Sequence, residues 1–223
     1  MKWQVFEDSG SVAHEACELI LQAARVAISD RGLFKIVLAG GSTPQRAYRL
    51  LSQSDSQWKH WEVYFGDERC LPVEDPERNS LMAARSLTDQ VGIPFDQVHP
   101  IPAELGPEEA ARLYTQDVEQ ALPFDLVLLG MGEDGHTASL FPGHEHPQDQ
   151  LVHSVHDAPK PPADRVSLSA IALGNTRQLL FLITGSNKQD TVQHWHQGKK
   201  LPISTIQSPD ETQVLIDKAA MGC

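Results

Sequence analysis

Short apolar runs alternate with longer amphipathic segments along the chain. Runs such as 35–39 (KIVLA) and 124–130 (FDLVLLG) are apolar at nearly every position and end at glycine, which is typical of strands buried on both faces. Between 12 and 27, apolar residues instead recur every three or four positions. That spacing predicts an amphipathic helix, with Ser11 as its N-cap and Gly32 just beyond its end.

The same patterns predict a regular alternation of strands and helices over the rest of the chain. Further strands are predicted at 61–68, 97–101, 165–173 (a strand, or a strand and a turn), 178–185 and 212–217. Further helices are predicted at 44–53 (with Thr43 as N-cap), 79–87, 107–122 and 187–198. This alternation implies an α/β fold, a mostly parallel sheet with helices on both faces. The length fits a single domain over 1–223, with 144–163 as one long surface loop.

Four unusual segments directly follow predicted strands. They are AGGSTP (39–44), GDERCLP (66–72), GMGEDGH (130–136) and TGSNK (184–188). The carboxyl ends of parallel strands meet at one edge of the sheet, and ligands of open α/β sheets bind there. We therefore expect these segments to form one site.

Composition and charge narrow the class of protein. The formal net charge of −12 opposes nucleic acids and anionic membranes, because both attract basic surfaces. No run reaches the ~18 apolar residues of a membrane helix, and the start (MKWQVFEDSG) lacks the pattern of a secretory signal. Three scattered cysteines (Cys17, Cys70 and Cys223) favour a reducing compartment over a disulfide framework. We expect a cytoplasmic protein without nucleic-acid or membrane partners, in which an anionic ligand needs a local positive pocket.

The glycine-rich turn at 39–44 has the features of an anion site. Gly40 and Gly41 let backbone N–H groups approach a ligand closely, and Ser42 and Thr43 add hydroxyl donors at a helix N-terminus. The turn matches neither GxxxxGK[ST] nor GxGxxG, so a nucleotide is not implied. An ordinary capped turn is the alternative, but a double glycine before Ser-Thr-Pro favours the anion site.

Charged residues in the other segments complete a candidate site. On extended chain, Asp67 and Arg69 point to one side and Glu68 to the other. An acid and a guanidinium there suit sugar hydroxyls and a developing oxyanion, although a surface ion pair fits equally well. Arg165 and Lys188 are each typical of surface charges when taken alone. Together with the glycine-rich turn they would supply the positive pocket.

His136 is the candidate base. Asp134 precedes it by two residues and is placed to orient its ring, and an unperturbed histidine pKa of ~6.5 suits proton transfer. A polar histidine that merely ends a turn is the alternative, and the neighbouring strand ends favour the catalytic interpretation. The four histidines of 144–163 lack HExxH spacing, so we expect a solvated loop and no metal site.

At these segments the sequence resembles the 6-phosphogluconolactonases, within the superfamily that also includes glucosamine-6-phosphate isomerase/deaminases. The matching motifs are LAGGSTPQRAY, GDERCLP, NSLMAAR, DLVLLGMGEDGHTASLFPG, RVSLSAIAL and LLFLITGSNK, in family order from 38 to 188. The resemblance implies a Rossmann-like α/β domain without a nucleotide. It also implies 6-phospho-D-glucono-1,5-lactone, from the oxidative pentose phosphate pathway, as the substrate.

The resemblance also assigns roles to matching positions. It places the substrate phosphate on Gly41, Ser42, Arg165 and Lys188. It makes His136 the base and turns Asp67 and Arg69 toward the sugar. Asn79 matches the family pattern, whereas Arg78 stands where serine is usual, so the resemblance assigns no role to Arg78.

Two sequence differences separate the two related activities. The isomerase/deaminases carry a glutamate five residues after the histidine, where this chain has Phe141, and DEY where it has Asp67-Glu68-Arg69. Loss of that carboxylate disfavours isomerisation or deamination. A non-catalytic sugar-phosphate sensor is a second alternative, which the acidic charge disfavours because such regulators bind DNA.

The expected reaction is hydrolysis of the ring ester without a metal, cofactor or covalent intermediate. His136 takes a proton from the water that attacks C1, while Asp134 orients the imidazole. Arg69 or N–H groups of the turns stabilise the oxyanion. We expect the protein to act as a monomer.

Overall fold

The computed structural model describes all residues, 1–223, as nine strands and seven helices with short connecting turns. The strands are β1 (Lys2–Phe6), β2 (Phe34–Leu38), β3 (Trp61–Phe65), β4 (Asp67–Arg69), β5 (Phe124–Gly130), β6 (Val152–Val155), β7 (Arg165–Leu168), β8 (Thr176–Ile183) and β9 (Glu211–Asp217). The helices are α1 (Ser9–Arg31), α2 (Ser42–Leu51), α3 (Asn79–Ala83), α4 (Pro107–Ala121), α5 (Ala170–Gly174), α6 (Gln189–His196) and α7 (Lys218–Met221).

Six strands form one parallel sheet in the order β1-β9-β8-β5-β2-β3. Every residue of β5 from Phe124 to Leu129 is buried. Successive side chains of a strand point to opposite faces, so both faces of the sheet are covered. One cluster of 57 buried apolar residues joins the sheet to its helices. The predicted α/β fold with a mostly parallel sheet is therefore confirmed.

The helix ends differ in detail from the predicted ones. Asp8, not Ser11, caps α1, and its carboxylate accepts from the Ser11 N–H at 2.8 Å. Gly32 ends α1 as predicted, in the left-handed conformation that glycine adopts without strain. In α2 the N-cap is Gly41 rather than Thr43, so the helix begins inside the glycine-rich turn.

A second, antiparallel sheet of order β4-β7-β6 was not predicted, and it corrects the interpretation of 144–163 as one surface loop. β6 lies within that segment, and its residues Val152 and Val155 are buried. The predicted strand at 165–173 is β7 followed by α5. The predicted strand at 97–101 is wrong, since only Val98 bridges to the main sheet. β1 was not predicted either.

The topology explains where a site forms. From β2 the chain continues to β3 on one side, whereas from β5 it continues toward β8 on the other. The order of strands thus reverses between β2 and β5, and a crevice opens there at the carboxyl ends. None of the helices is both long enough and apolar enough to cross a lipid bilayer.

Candidate active site

A cavity of about 330 Å³ lies at the predicted edge of the sheet, where the turns after β2 and β5 meet β4, β7 and the segment after β8. Its lining residues are Ala39, Gly40, Gly41, Asp67, Arg69, Asn79, Gly130, Met131, Gly132, His136, Thr137, Ala138, Phe141, Lys160, Pro161, Arg165 and Lys188. All four of the unusual segments contribute to this wall.

His136 and Asp134 form a dyad inside the turn that follows β5. Asp134 Oδ1 lies 2.5 Å from His136 Nδ1 and also accepts from the His136 backbone N–H at 3.1 Å. Burial opposes ionisation of Asp134, but these contacts with His136 outweigh it and leave the pKa of the carboxyl below its ordinary value. An ionised Asp134 keeps the proton on Nδ1, so Nε2 is the nitrogen left to act as a base.

The glycines of this turn have a steric role. A Cβ on Gly132 would lie 2.1 Å from the His136 ring, so any other residue would displace the imidazole. Gly135 adopts a φ of +86°, which side chains rarely tolerate. The Gly132 N–H donates to the His136 carbonyl at 2.8 Å and closes the turn. Gly132 and Gly135 therefore give the turn the space and the backbone conformation that place the ring at the cavity wall.

Asp67 is a buried carboxylate with fixed partners. The Asn79 amide donates to both the backbone carbonyl and Oδ1 of Asp67 at 3.0 Å, and Ser139 Oγ donates to Oδ2 at 2.6 Å. Gly40 leaves room for this arrangement, since a Cβ there would lie 2.1 Å from Asn79 Oδ1. Asp67, Asn79 and Gly40 all line the cavity.

Arg69 and Glu68 point to opposite sides of β4, as the extended spacing predicts. Arg69 lines the cavity, donates through Nη1 to the Glu77 carbonyl, and has a buried Nε without a partner. Glu68 is fully buried away from the cavity, where it pairs with Arg78. Arg69 thus belongs to the cavity wall, and Arg78 belongs to the packing behind it.

Three further cations line the cavity, namely Lys160, Lys188 and Arg165, which pairs with Arg69 across β4 and β7. Arg165 is 5% exposed and donates to the carbonyls of Lys160, Pro161 and Pro162. Burial lowers the pKa of Arg165 and of the half-buried Lys188. Lys160 Nζ lies 3.9 Å from Glu133. The result is a positive pocket inside a negatively charged protein.

Three predicted residues are not part of the cavity wall, namely Asp134, which adjoins it through His136, and Ser42 and Thr43. The Ser42 side chain is exposed, and the Thr43 hydroxyl is 2.7 Å from the Thr184 hydroxyl. Gly41, with a φ of +109°, lines the cavity directly before them. Ser42 and Thr43 begin α2, so their N–H groups are among the donors that a helix N-terminus leaves without an intrahelical partner.

Sequence reasoning missed several lining residues. Lys160 and Pro161 lie in the segment interpreted as a loop and carried no signal beyond charge and proline. Ala138 has a φ of +48°, a left-handed conformation that costs an alanine about 1 kcal/mol and that concentrates at functional sites. Phe141 is buried, with its ring 4.7 Å from the His136 ring and 5.5 Å from the Arg165 guanidinium.

The histidine-rich segment is not a simple solvated loop. His146 and His153 contact each other at 3.2 Å, and His153 is 4% exposed on β6. The exposed His156 lies between Glu108 and Asp164. No group of three or more His, Cys, Asp or Glu residues is arranged to hold a metal ion.

Comparison with known proteins identifies the family. The family described as "Glucosamine-6-phosphate isomerases/6-phosphogluconolactonase" matches residues 7–216. The chain is 32% identical to 6-phosphogluconolactonase 3 of Saccharomyces cerevisiae over 98% of this chain and 95% of the yeast protein. It is 36% identical to a 6-phosphogluconolactonase of Mycobacterium bovis over 85% and 83% of the two chains. The structure of a 6-phosphogluconolactonase from Thermotoga maritima superposes with a TM-score of 0.91 at 28% identity, covering 97% of this chain and 99% of that one. The chain therefore belongs to the glucosamine-6-phosphate isomerase/6-phosphogluconolactonase family.

Proposed function

We propose that this protein hydrolyses 6-phospho-D-glucono-1,5-lactone to 6-phospho-D-gluconate, a step of the oxidative pentose phosphate pathway. One observation carries the proposal, namely that the His136–Asp134 dyad and the cations Arg165 and Lys188 line or adjoin a single cavity. A general base on one side and an anion site on the other match an uncharged ring ester that bears a phosphate. The relatives at 32% and 36% identity carry the same activity in their names.

In this proposal the phosphate occupies the cationic side of the cavity. Arg165 and Lys188 supply positive charge, and Gly41 together with the first N–H groups of α2, at Ser42 and Thr43, supplies hydrogen bonds. The sugar ring then extends along β4. There it meets Asp67, Asn79, Arg69 and the close backbone of Gly40.

The chemistry follows from the tautomer of His136. Its Nε2 takes a proton from water, and the water oxygen attacks C1 to form a tetrahedral oxyanion. The ester bond between C1 and the ring oxygen then breaks, and the imidazolium returns the proton to that oxygen. Arg69, which lines the cavity, is the proposed oxyanion donor. Base catalysis contributes about 10²–10⁴-fold and one oxyanion donor about 10²–10³-fold, which suits an already reactive lactone.

Phe141 distinguishes this activity from sugar isomerisation. Where the isomerase/deaminases carry a glutamate, a buried phenyl ring packs against His136. Among the lining residues Asp67 is the one acid, and both of its oxygens already accept hydrogen bonds. The cavity wall therefore offers a base for water but no second carboxylate for moving protons along an open sugar chain.

Turnover of freshly prepared 6-phosphogluconolactone, followed by proton release at constant pH, tests the proposal. We expect turnover well above spontaneous hydrolysis, unchanged by EDTA, and no ammonia release from glucosamine 6-phosphate. Ammonia release without lactone turnover would assign the protein to the other branch of the family. Loss of turnover in EDTA with recovery on adding zinc would instead require a metal.

We also propose that the protein is a cytoplasmic monomer that binds neither nucleic acid nor membranes. The net charge of −12 and three cysteines without disulfides support this. Light scattering at assay concentrations tests the monomer, with a mass near 24.6 kDa as the expected result.

A further inference from the structure

Behind the cavity lies a buried group of charges that the proposed mechanism does not use. Arg78 is 3% exposed and Glu68 is fully buried, with Arg78 Nε 3.5 Å from Glu68 Oε2. Arg78 also contacts Glu104 at 2.8 Å and donates to the carbonyls of Ile101 at 2.8 Å and Leu71 at 3.3 Å. Its side chain is thus anchored on several sides, at positions far apart in the sequence.

The residues on either side of Arg78 hold the sugar-facing side chains. Glu77, which precedes it, accepts from Arg69 Nη1 through its carbonyl. Asn79, which follows it, donates to Asp67 at two positions. The backbone of Arg78 therefore joins Glu77, which binds Arg69, to Asn79, which binds Asp67.

Glu68 ties the same segment to β4. Its carboxylate accepts from the backbone N–H groups of Arg69 at 2.9 Å, Asn79 at 2.7 Å and Ser80 at 2.8 Å. These bonds fix the start of α3 against the strand that carries Asp67. Arg78 lies beside this carboxylate, so its positive charge offsets the cost of burying Glu68.

We infer that Arg78 is a positioning residue for the lactonase reaction. Its guanidinium anchors the segment 77–79, which in turn sets the positions of Arg69 and Asp67. Lysine cannot replace it, because the contacts use the forked, planar guanidinium rather than a point charge. The inference rests on the proposed function for its kinetic consequence. Arg165 touches this network, because it pairs with Arg69 across β4 and β7, whereas Lys188, after β8, lies outside it.

The test compares Arg78→Lys with Asp125→Asn as a control. Asp125 is also buried, pairs with Arg31 at 2.7 Å and Arg177 at 3.5 Å, and lies at the opposite end of the sheet. We expect Arg78→Lys to lower kcat about 10–100-fold, since displacements near 1 Å have such effects. The Kd of 6-phosphogluconate should stay within about 2-fold, because phosphate contacts dominate it. The control should lose stability but keep its kcat below its unfolding temperature.

A double-mutant cycle with Asp67→Asn separates positioning from general destabilisation. If Arg78 acts through Asp67 and Arg69, the effect of Arg78→Lys on kcat shrinks several-fold in the Asp67→Asn background. Equal effects in both backgrounds, or a kcat loss that merely follows the folded fraction, would overturn the inference. Should Arg78→Lys not fold, Glu104→Gln removes one anchor and should show the same pattern at smaller size.

A crystal structure of Arg78→Lys keeps this test independent of the proposed activity. We expect the Asn79–Asp67 and Arg69–Glu77 hydrogen bonds to be broken while Arg165 and Lys188 stay in place. Intact bonds in the variant overturn the positioning role even if the wild-type protein turns over no lactone. Absent wild-type turnover with broken bonds in the variant instead overturns the proposed function and leaves the positioning role supported.

Discussion

The two sides of the cavity are built in different ways. The dyad of Asp134 and His136 belongs to one turn, in which the partners are two residues apart and partly exposed. The cationic side combines Arg165 of β7, Lys160 of the segment between β6 and β7, and Lys188 after β8. Arg165 is almost fully buried and donates to three backbone carbonyls of 160–162, in the segment just before β7.

This difference separates chemistry from binding. The geometry of the dyad depends on local glycines, so its atoms can be changed with little effect on the rest of the cavity. The cationic side depends on tertiary structure, and its charges lie where a phosphate would bind. The comparison therefore predicts that substitutions on one side change kcat, whereas those on the other change the affinity for the product.

The largest effect is expected from His136→Ala. Removal of the base should lower kcat about 10²–10⁴-fold. The Kd of 6-phosphogluconate should remain within about 2-fold, because the phosphate contacts stay in place. Stopped-flow or pH-stat kinetics together with calorimetric titration of the product measure the two quantities. Turnover near that of the wild type would remove His136 from the role of base.

Asp134→Asn tests whether the dyad acts as a unit. The amide cannot hold the imidazole in the tautomer that a carboxylate selects, so kcat should fall by roughly 10–100-fold. The effect is expected to be smaller than in a fully buried triad because Asp134 is 40% exposed. In the His136→Ala background the same substitution should change kcat by less than about 2-fold. Additive effects in this cycle would contradict coupling through His136.

The cationic side is tested by Lys188→Ala and Arg165→Ala. Each substitution should weaken 6-phosphogluconate binding about 10-fold or more, the size expected for one charge-assisted hydrogen bond. Lys199→Ala is the matched control, since this lysine is exposed and lies outside the cavity wall. Calorimetry at two salt concentrations checks the result. An unchanged product Kd in both cavity variants would remove these residues from the phosphate site.

The local half of the site could be predicted from sequence because its signals are local. Gly132, Asp134 and His136 are close in the chain, and glycine, acid and base together after an apolar run indicate a built turn. The alternation of apolar runs likewise predicted the parallel sheet, because its strands are buried on both faces. Side chains alternate along extended chain, and this predicted that Asp67 and Arg69 point to one side of the strand and Glu68 to the other.

The distant half could not be predicted in the same way. β6 and β7 pair in an antiparallel sheet with β4, and the register that sets Arg165 opposite Arg69 joins segments nearly a hundred residues apart. Nothing in the composition of 144–163 distinguishes buried His153 from its exposed neighbours. The network of Arg78 was similarly hidden, since its partners Glu68, Ile101 and Glu104 come from three separate segments.

The smallest predicted effect concerns a support shared by both sides of the cavity. His146 Nε2 lies 3.1 Å from the Phe141 carbonyl, which can only accept, so Nε2 carries the proton in neutral His146. Its Nδ1 then accepts from His153 Nε2, which leaves His153 Nδ1 buried without a partner. This chain of bonds requires a neutral His146, because its Nδ1 accepts, whereas His153 Nε2 donates in either protonation state. Burial lowers the pKa of His153 to about 4 and that of His146 below its ordinary value, with a smaller contribution from His144.

The sign of the pH dependence follows from these shifts. Between about pH 6.5, where unfolded histidine titrates, and pH 4, the unfolded chain binds more protons, so stability falls as the pH falls. His153→Gln should flatten the dependence of Tm on pH in this window, by a few degrees. His156→Gln is the control of opposite sign, because Asp164 and Glu108 raise the pKa of His156 and its contribution is lost as pH rises. A His153→Gln curve parallel to that of the wild type would contradict the neutral pair. A flatter curve would show that the folded protein holds His153 neutral, as the donor to the ring that in turn donates to the Phe141 carbonyl.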